Sequence, residues 1–140
     1  MRRALVLSAV LGVWLAATVA PALAIPGGRY AIGDSVMLGA KDELQRRGFV
    51  VNAVQSRQFH DAVSIVRQKA ADGTLRRKVV IHLGTNGILI EPSECDAIAK
   101  AAGKLRLVYL VTVTGPTKYP GIRKMQNTRL KACASRHANT

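Results

Sequence analysis

The chain has 140 residues, 49% of them apolar and 4% aromatic, with a formal net charge of +13. That length suits one small domain and leaves no room for a second, and the core must be filled by Val, Leu, Ile and Ala. The basic surplus is scattered, with Arg76-Arg77-Lys78 as its one short run and no aromatic interleaving for base stacking. This argues against a nucleic-acid partner and points instead to anionic cell-wall polymers or lipid head groups.

Residues 1–24 stand apart from the fold. Arg2 and Arg3 form a positive start, Ala4 to Ala20 an apolar run, and Pro21 precedes the small-residue site Ala22-Leu23-Ala24. This is the order of a secretory signal peptide cleaved after Ala24. The alternative is an uncleaved membrane anchor, because the run approaches the length of a bilayer span. Cleavage leaves residues 25–140 with a charge of +11, placed outside the cytoplasm (secreted or periplasmic) and without a stable membrane span.

After the linker Ile25-Pro26-Gly27-Gly28, Tyr30 to Ile32 read as the end of a short strand. Gly33 allows a sharp bend there because it has no Cβ. From Val36 the apolar spacing becomes helical, with Met37, Ala40 and Leu44 on one face, predicting a helix from Ser35 to Arg47 that Gly48 stops. Ser35 would then stand at a helix N-terminus on the carboxyl edge of a sheet, beside backbone N–H groups. Open α/β sheets bind ligands there, and a serine nucleophile needs N–H donors near the attacked carbon. The plainer reading of Gly33-Asp34-Ser35 is a polar turn with an N-cap.

Phe49 to Val54 is a second strand, rich in β-branched residues. Gln55-Ser56-Arg57-Gln58 turns at the same edge, and a helix over Phe59–Ala70 follows, with Phe59, Val63, Val66 and Ala70 on its stripe and Asp72-Gly73 as its stop. Val79-Val80-Ile81-His82-Leu83 is a third strand, ending in Gly84-Thr85-Asn86-Gly87. Glu91-Pro92-Ser93-Glu94 opens a helix that reaches Ala102 and stops at Gly103, as acidic residues and an early proline should. Leu107 to Val113 is a fourth strand, so apolar that it predicts burial on both faces. Gly115-Pro116 turns, and a last helix spans Pro120 to Arg136. Four β-α units in succession predict an α/β fold with a parallel sheet and helices on both faces.

The stretches Gly33-Asp34-Ser35 and Gly84-Thr85-Asn86-Gly87 together resemble the SGNH (GDSL-like) hydrolase superfamily. Over residues 29–140 the chain is similar to the extracytoplasmic SGNH domain that accompanies bacterial membrane acyltransferases. The resemblance implies a flavodoxin-like three-layer αβα fold, here a parallel sheet of four strands with the fifth missing. It also implies that Ser35 is the catalytic nucleophile. The oxyanion donors would be the Ser35 N–H, the Asn86 side-chain amide and the N–H of Ser56, which stands where the family has Gly. Ser56 must then tolerate that glycine's backbone angles, and its other reading is a helix N-cap. Asn86 also reads as an ordinary turn residue. Gly33, Asp34 and Gly84 support the site, with Asp34 shaping the turn rather than serving as the triad acid. The expected partner is an acyl ester or acylated glycan, with no metal and no cofactor.

The family's general base is a His three residues after an Asp. None of His60, His82 and His137 stands in an Asp-x-x-His pattern, and His82, inside a strand, reads as a satisfied core histidine. The block would begin beyond Thr140, so the chain reads as the first four-fifths of such a domain. It would also leave the fourth strand as an open edge, a template for association. Serine without a base is a poor nucleophile. The expected activity is therefore ester hydrolysis or O-acyl transfer, impaired or absent. The alternatives are a non-catalytic exported ligand-binding domain and a non-functional fragment.

Cys95 and Cys133 fit either a disulfide or two buried thiols. Export permits pairing. A late position on a parallel helix lies roughly 15 Å further along the axis than an early one, at 1.5 Å per residue, whereas a bridge needs Cα atoms within about 7 Å.

Overall fold

A computed structural model describes residues 24–114 and 120–140. The expected leader, apart from Ala24, and the expected Gly115-Pro116 turn lie outside the described residues. The elements run β1 (Arg29–Gly33), α1 (Ser35–Gly39), α2 (Lys41–Arg46), β2 (Phe49–Ala53), α3 (Phe59–Ala71), β3 (Lys78–His82), α4 (Pro92–Ala102), β4 (Leu107–Leu110) and α5 (Pro120–Arg136).

The strands form one parallel sheet in the order β2-β1-β3-β4. Register aligns Ala31 with both Val51 and Val80, and Val80 with Tyr109. The chain moves one way across the sheet through α1 and α2 and the other way through α3. Right-handed crossovers therefore place them on opposite faces, giving three layers. Tyr30, Ile32, Val79, Ile81 and Val108 point to the α3–α5 side and pack on Val66, Ile98 and Leu130. Each such large side chain fully withdrawn from water contributes about 1.5–3 kcal/mol.

Two expectations need correction, and one open alternative is decided. The helix expected over Ser35–Arg47 is two short helices. Gly39 is a weak helix former. Ala40 then takes ψ 5°, and its N–H turns back to the Met37 carbonyl at 3.1 Å. Met37 is buried, but Ala40 is exposed, so the apolar stripe does not run through. The second helix is secured by Glu43, whose carboxylate takes Arg46 and Arg47 at 2.6 Å each.

The second correction concerns β4, which is buried on one face only. Val108 is buried, while Leu107, Tyr109 and Val111 are 45%, 47% and 38% exposed. Helices α3, α4 and α5 lie on the Val108 side, and on the other side α1 and α2 lie over β1 and β2. The outer edge of β4 is partly closed. The Asn139 carbonyl accepts the Val108 N–H at 2.7 Å, and the Asn139 side chain donates to the Ala99 carbonyl of α4 and to that of its C-cap, Gly103, at 3.1 Å each.

Of the two readings open for Cys95 and Cys133, the structure has the disulfide, with Cα atoms 6.1 Å apart. The two helices do run parallel, but their starts are not level. Arg129 reaches Ile90 and Glu91, Arg136 reaches Asp96, and Asn139 reaches Ala99. The first turns of α5 overhang the start of α4, which brings a late residue of one beside an early residue of the other.

Candidate active site

Parallel strands put their following loops on one edge. Ser35 follows β1, Ser56 follows β2 and Asn86 follows β3, so the three residues expected to act together share the carboxyl edge of the sheet. Ser35 is the first residue of α1 and is exposed; among the described residues its hydroxyl makes no hydrogen bond. With five residues, α1 supplies first-turn N–H groups rather than a long dipole. Gly33 is required for a reason other than bend angle. A Cβ there would lie 2.3 Å from the Cβ of Met37, whose side chain fills that space as α1 folds back on β1.

Asp34 is fully buried and caps α1. Its Oδ1 accepts the Val36 N–H at 3.0 Å, and its Oδ2 accepts the Thr85 hydroxyl and, at 3.4 Å, the Asn86 amide. A buried carboxyl group is tolerable only when its oxygens are satisfied in this way. Asp34 thus shapes the turn, as expected, and also binds the β1 loop to the β3 loop. Asn86 donates a second bond, at 3.0 Å, to the Arg57 carbonyl. An incoming oxyanion would compete with the longer of these two contacts.

Arg57 escaped the sequence reading. Its guanidinium donates to the Gly33 carbonyl at 3.2 Å, to the Asn52 carbonyl, and to the Asn52 side-chain oxygen at 2.9 Å. Side chain and carbonyl together tie the loops after β1, β2 and β3. Ser56, just before it, has φ +60°, the one non-glycine residue with positive φ among the described residues. It adopts the backbone that glycine favours, at a cost of roughly 1–2 kcal/mol. Its N-cap reading is overturned: Gln58 caps α3, its N–H held by the Asp61 carboxylate at 3.0 Å.

Gln126 was also missed. It is buried on α5, accepts the Ile90 N–H at 2.8 Å and donates to the Gly84 and Ile88 carbonyls, so α5 pins the loop that carries Asn86. Gly84, with φ +116°, lies beneath it. A buried Gln among charged neighbours carries no mark in the sequence.

The histidines are dispersed. His82 is not the satisfied core residue expected: its Nδ1 is buried without a hydrogen bond, 3.8 Å from Asp34 Oδ1. His60 lies 3.4 Å from Asp61. His137 lies 2.7 Å from Asp96, whose carboxyl is held below its ordinary value by hydrogen bonds from His137 and then Arg136.

No protein-family model matches this chain, and no curated protein matches it. Solved structures do. The peptidoglycan O-acetyltransferase A (OatA) C-terminal catalytic domain of Streptococcus pneumoniae superposes with a TM-score of 0.59 at 28% identity over 81% of this chain. This chain spans 62% of the length of that domain. The psychrotrophic esterase EstA of Pseudoalteromonas sp. gives 0.57 at 15% identity, covering 80% of this chain and 74% of the esterase. A GDSL-like lipase of Bacteroides thetaiotaomicron gives 0.52 at 18% identity, covering 77% of this chain and 60% of the lipase. With the β2-β1-β3-β4 parallel sheet and the serine loop after β1, these likenesses identify the fold of the chain as that of the SGNH hydrolases.

Proposed function

We propose that this chain is the acyl-handling part of an exported ester hydrolase or O-acyl transferase that acts on acylated glycans or similar esters. Ser35 Oγ attacks the acyl carbonyl carbon. The oxyanion that develops is stabilised by the Ser35 N–H, the Ser56 N–H and the Asn86 amide, which exchanges its 3.4 Å contact to Asp34 for the oxyanion. The observation that carries this reading is the hydrogen-bond network through Asp34 and Arg57, which holds the three loops of the carboxyl edge to one another. The acyl-glycan substrate class draws on the likeness to the OatA domain. Export, with Ile25 as the first residue of the mature chain, belongs to the same proposal; N-terminal sequencing that found Met1 intact would replace cleavage with an anchor.

The Ser35 hydroxyl needs a base to take its proton. Among the described residues no histidine is hydrogen-bonded to it, so in this reading residues 25–140 alone turn over slowly and an Asp-x-x-His segment completes the site. The same observation favours a second reading, a domain that binds the acyl glycan without cleaving it. Initial rates on an aryl acetate separate the two. The chain as it stands should show little turnover. A version extended past Thr140 by a designed segment carrying Asp-x-x-His should gain several orders of magnitude. Ser35→Ala should abolish that gain, and Asn86→Ala should reduce it about 10²- to 10³-fold. Turnover indifferent to Ser35→Ala removes the serine mechanism. Turnover by the unextended chain that is lost in His60→Ala or His82→Ala reassigns the base.

A further inference from the structure

The amino edge of the sheet, opposite the site, carries a second surface. Arg77 and Lys78 enter β3, and Lys100 and Lys104 flank the end of α4; all four are exposed and make no side-chain hydrogen bond or ion pair among the described residues. The acids of this edge are already engaged, Asp72 by Thr74 and Lys69, and Glu43 by Arg46 and Arg47. Between the free cations stand Leu105, 75% exposed, and Leu107, which faces Lys78 across the β3–β4 register. Two shallow depressions of about 610 and 470 Å³ share Lys104 and Leu107, and Ile25 lines the second.

An apolar centre ringed by unneutralised cations matches the boundary layer of an anionic bilayer, where leucine leaves water and each cation meets lipid phosphate. The position of Ile25 adds a second argument. The apolar run ends at Ala20, five residues earlier, and five extended residues reach at most about 18 Å. If the run stays in a membrane, this face lies beside that membrane. If it is cleaved, the new α-ammonium of Ile25 joins the same face.

We propose that the amino edge docks on the surface of an anionic lipid bilayer, with Leu105 in the head-group layer, so that the Ser35 edge faces away from the membrane. This goes beyond the proposed activity and does not depend on it. Each cation near such a surface is worth roughly fivefold in partitioning, so the four together are worth about 10²- to 10³-fold, and the attraction is screened as ionic strength rises.

The test uses the full chain with its disulfide intact and an environment-sensitive fluorophore on Leu105→Cys or, at the opposite edge, on Ile88→Cys. Vesicles contain one part phosphatidylglycerol to three parts phosphatidylcholine, or phosphatidylcholine alone, each doped with spin-labelled lipid. The fluorophore at position 105 should be quenched at least about threefold more than that at position 88, in the anionic vesicles only. The set Arg77→Gln, Lys78→Gln, Lys100→Gln and Lys104→Gln should abolish the difference. An equal-charge set elsewhere (Lys41→Gln, Arg67→Gln, Lys124→Gln and Lys131→Gln) should preserve it. Equal quenching at both positions, quenching indifferent to phosphatidylglycerol, or equal loss in both sets overturns the proposal. A position-105 fluorophore that responds to a DNA duplex and not to vesicles also overturns it, in favour of a nucleic acid.

Discussion

The two edges of the sheet are built from the same four strands and differ in charge: the amino edge pairs its acids and has cations left over. At the carboxyl edge charged side chains are engaged: Asp34 in the cap of α1, Arg57 on three acceptors, Asp61 and Glu94 on helix-start N–H groups, and Arg129 on Glu91. At the amino edge Arg77, Lys78, Lys100 and Lys104 are free among the described residues. The helices run against the strands, so their starts meet the carboxyl edge and their ends the amino edge. Acids are stabilised at the starts and bases at the ends. A parallel α/β fold therefore sorts charge before any ligand is considered. The engaged edge is suited to holding groups in place, the free edge to meeting a surface.

The contrast predicts large costs on one side and small ones on the other. The largest effect should come from the disulfide, which ties the start of α4 to α5 and closes a loop with a sequence separation of 38. Its removal by the pair Cys95→Ala and Cys133→Ala should cost about 4 kcal/mol by chain entropy, read from urea midpoints. Arg57→Ala should come next. Losing the guanidinium's hydrogen bonds to the Gly33 and Asn52 oxygens should cost about 1.5–3 kcal/mol, with the Gly33 carbonyl keeping its bond from the Val54 N–H. Hydrogen exchange at the Ser56 N–H and the Asn86 side-chain amide should speed up with it; unchanged exchange would mean that Arg57 does not order the site.

Ser56→Gly should act in the other direction. It relieves the left-handed backbone at φ +60° and should raise stability by about 1 kcal/mol, less a few tenths for the added freedom of the unfolded chain. A fall in melting temperature would show that the Ser56 side chain matters more than its backbone. The four amino-edge glutamine substitutions should shift the midpoint by less than about 0.5 kcal/mol, because they break no described bond.

The smallest effect concerns Asp96. Its carboxyl is held below the ordinary value by His137 and Arg136, so its contribution is present above the unfolded value and is lost as pH falls through the lower folded one. Asp96→Asn should therefore melt slightly below the parent at neutral pH and level with it in strong acid. A gap that persists in acid would locate the effect elsewhere.

Much of this organisation lies in local sequence. β-branched and continuous apolar runs located four strands, an apolar stripe located α3, and an acidic, proline-bearing start with a glycine stop located α4, because those signals belong to single elements. The β-α alternation then implied that Ser35, Ser56 and Asn86 share an edge, and the glycine-like backbone of Ser56 was the condition stated for its role. What the tertiary structure alone decided depends on how elements sit against one another. Whether Leu107 and Tyr109 are covered is settled by which face the helices occupy, not by how apolar β4 is. Whether Cys95 meets Cys133 is settled by the offset between α4 and α5, which no spacing within either helix records. Arg57 and Gln126 act by bonding carbonyls of distant loops, and a carbonyl has no letter in the sequence.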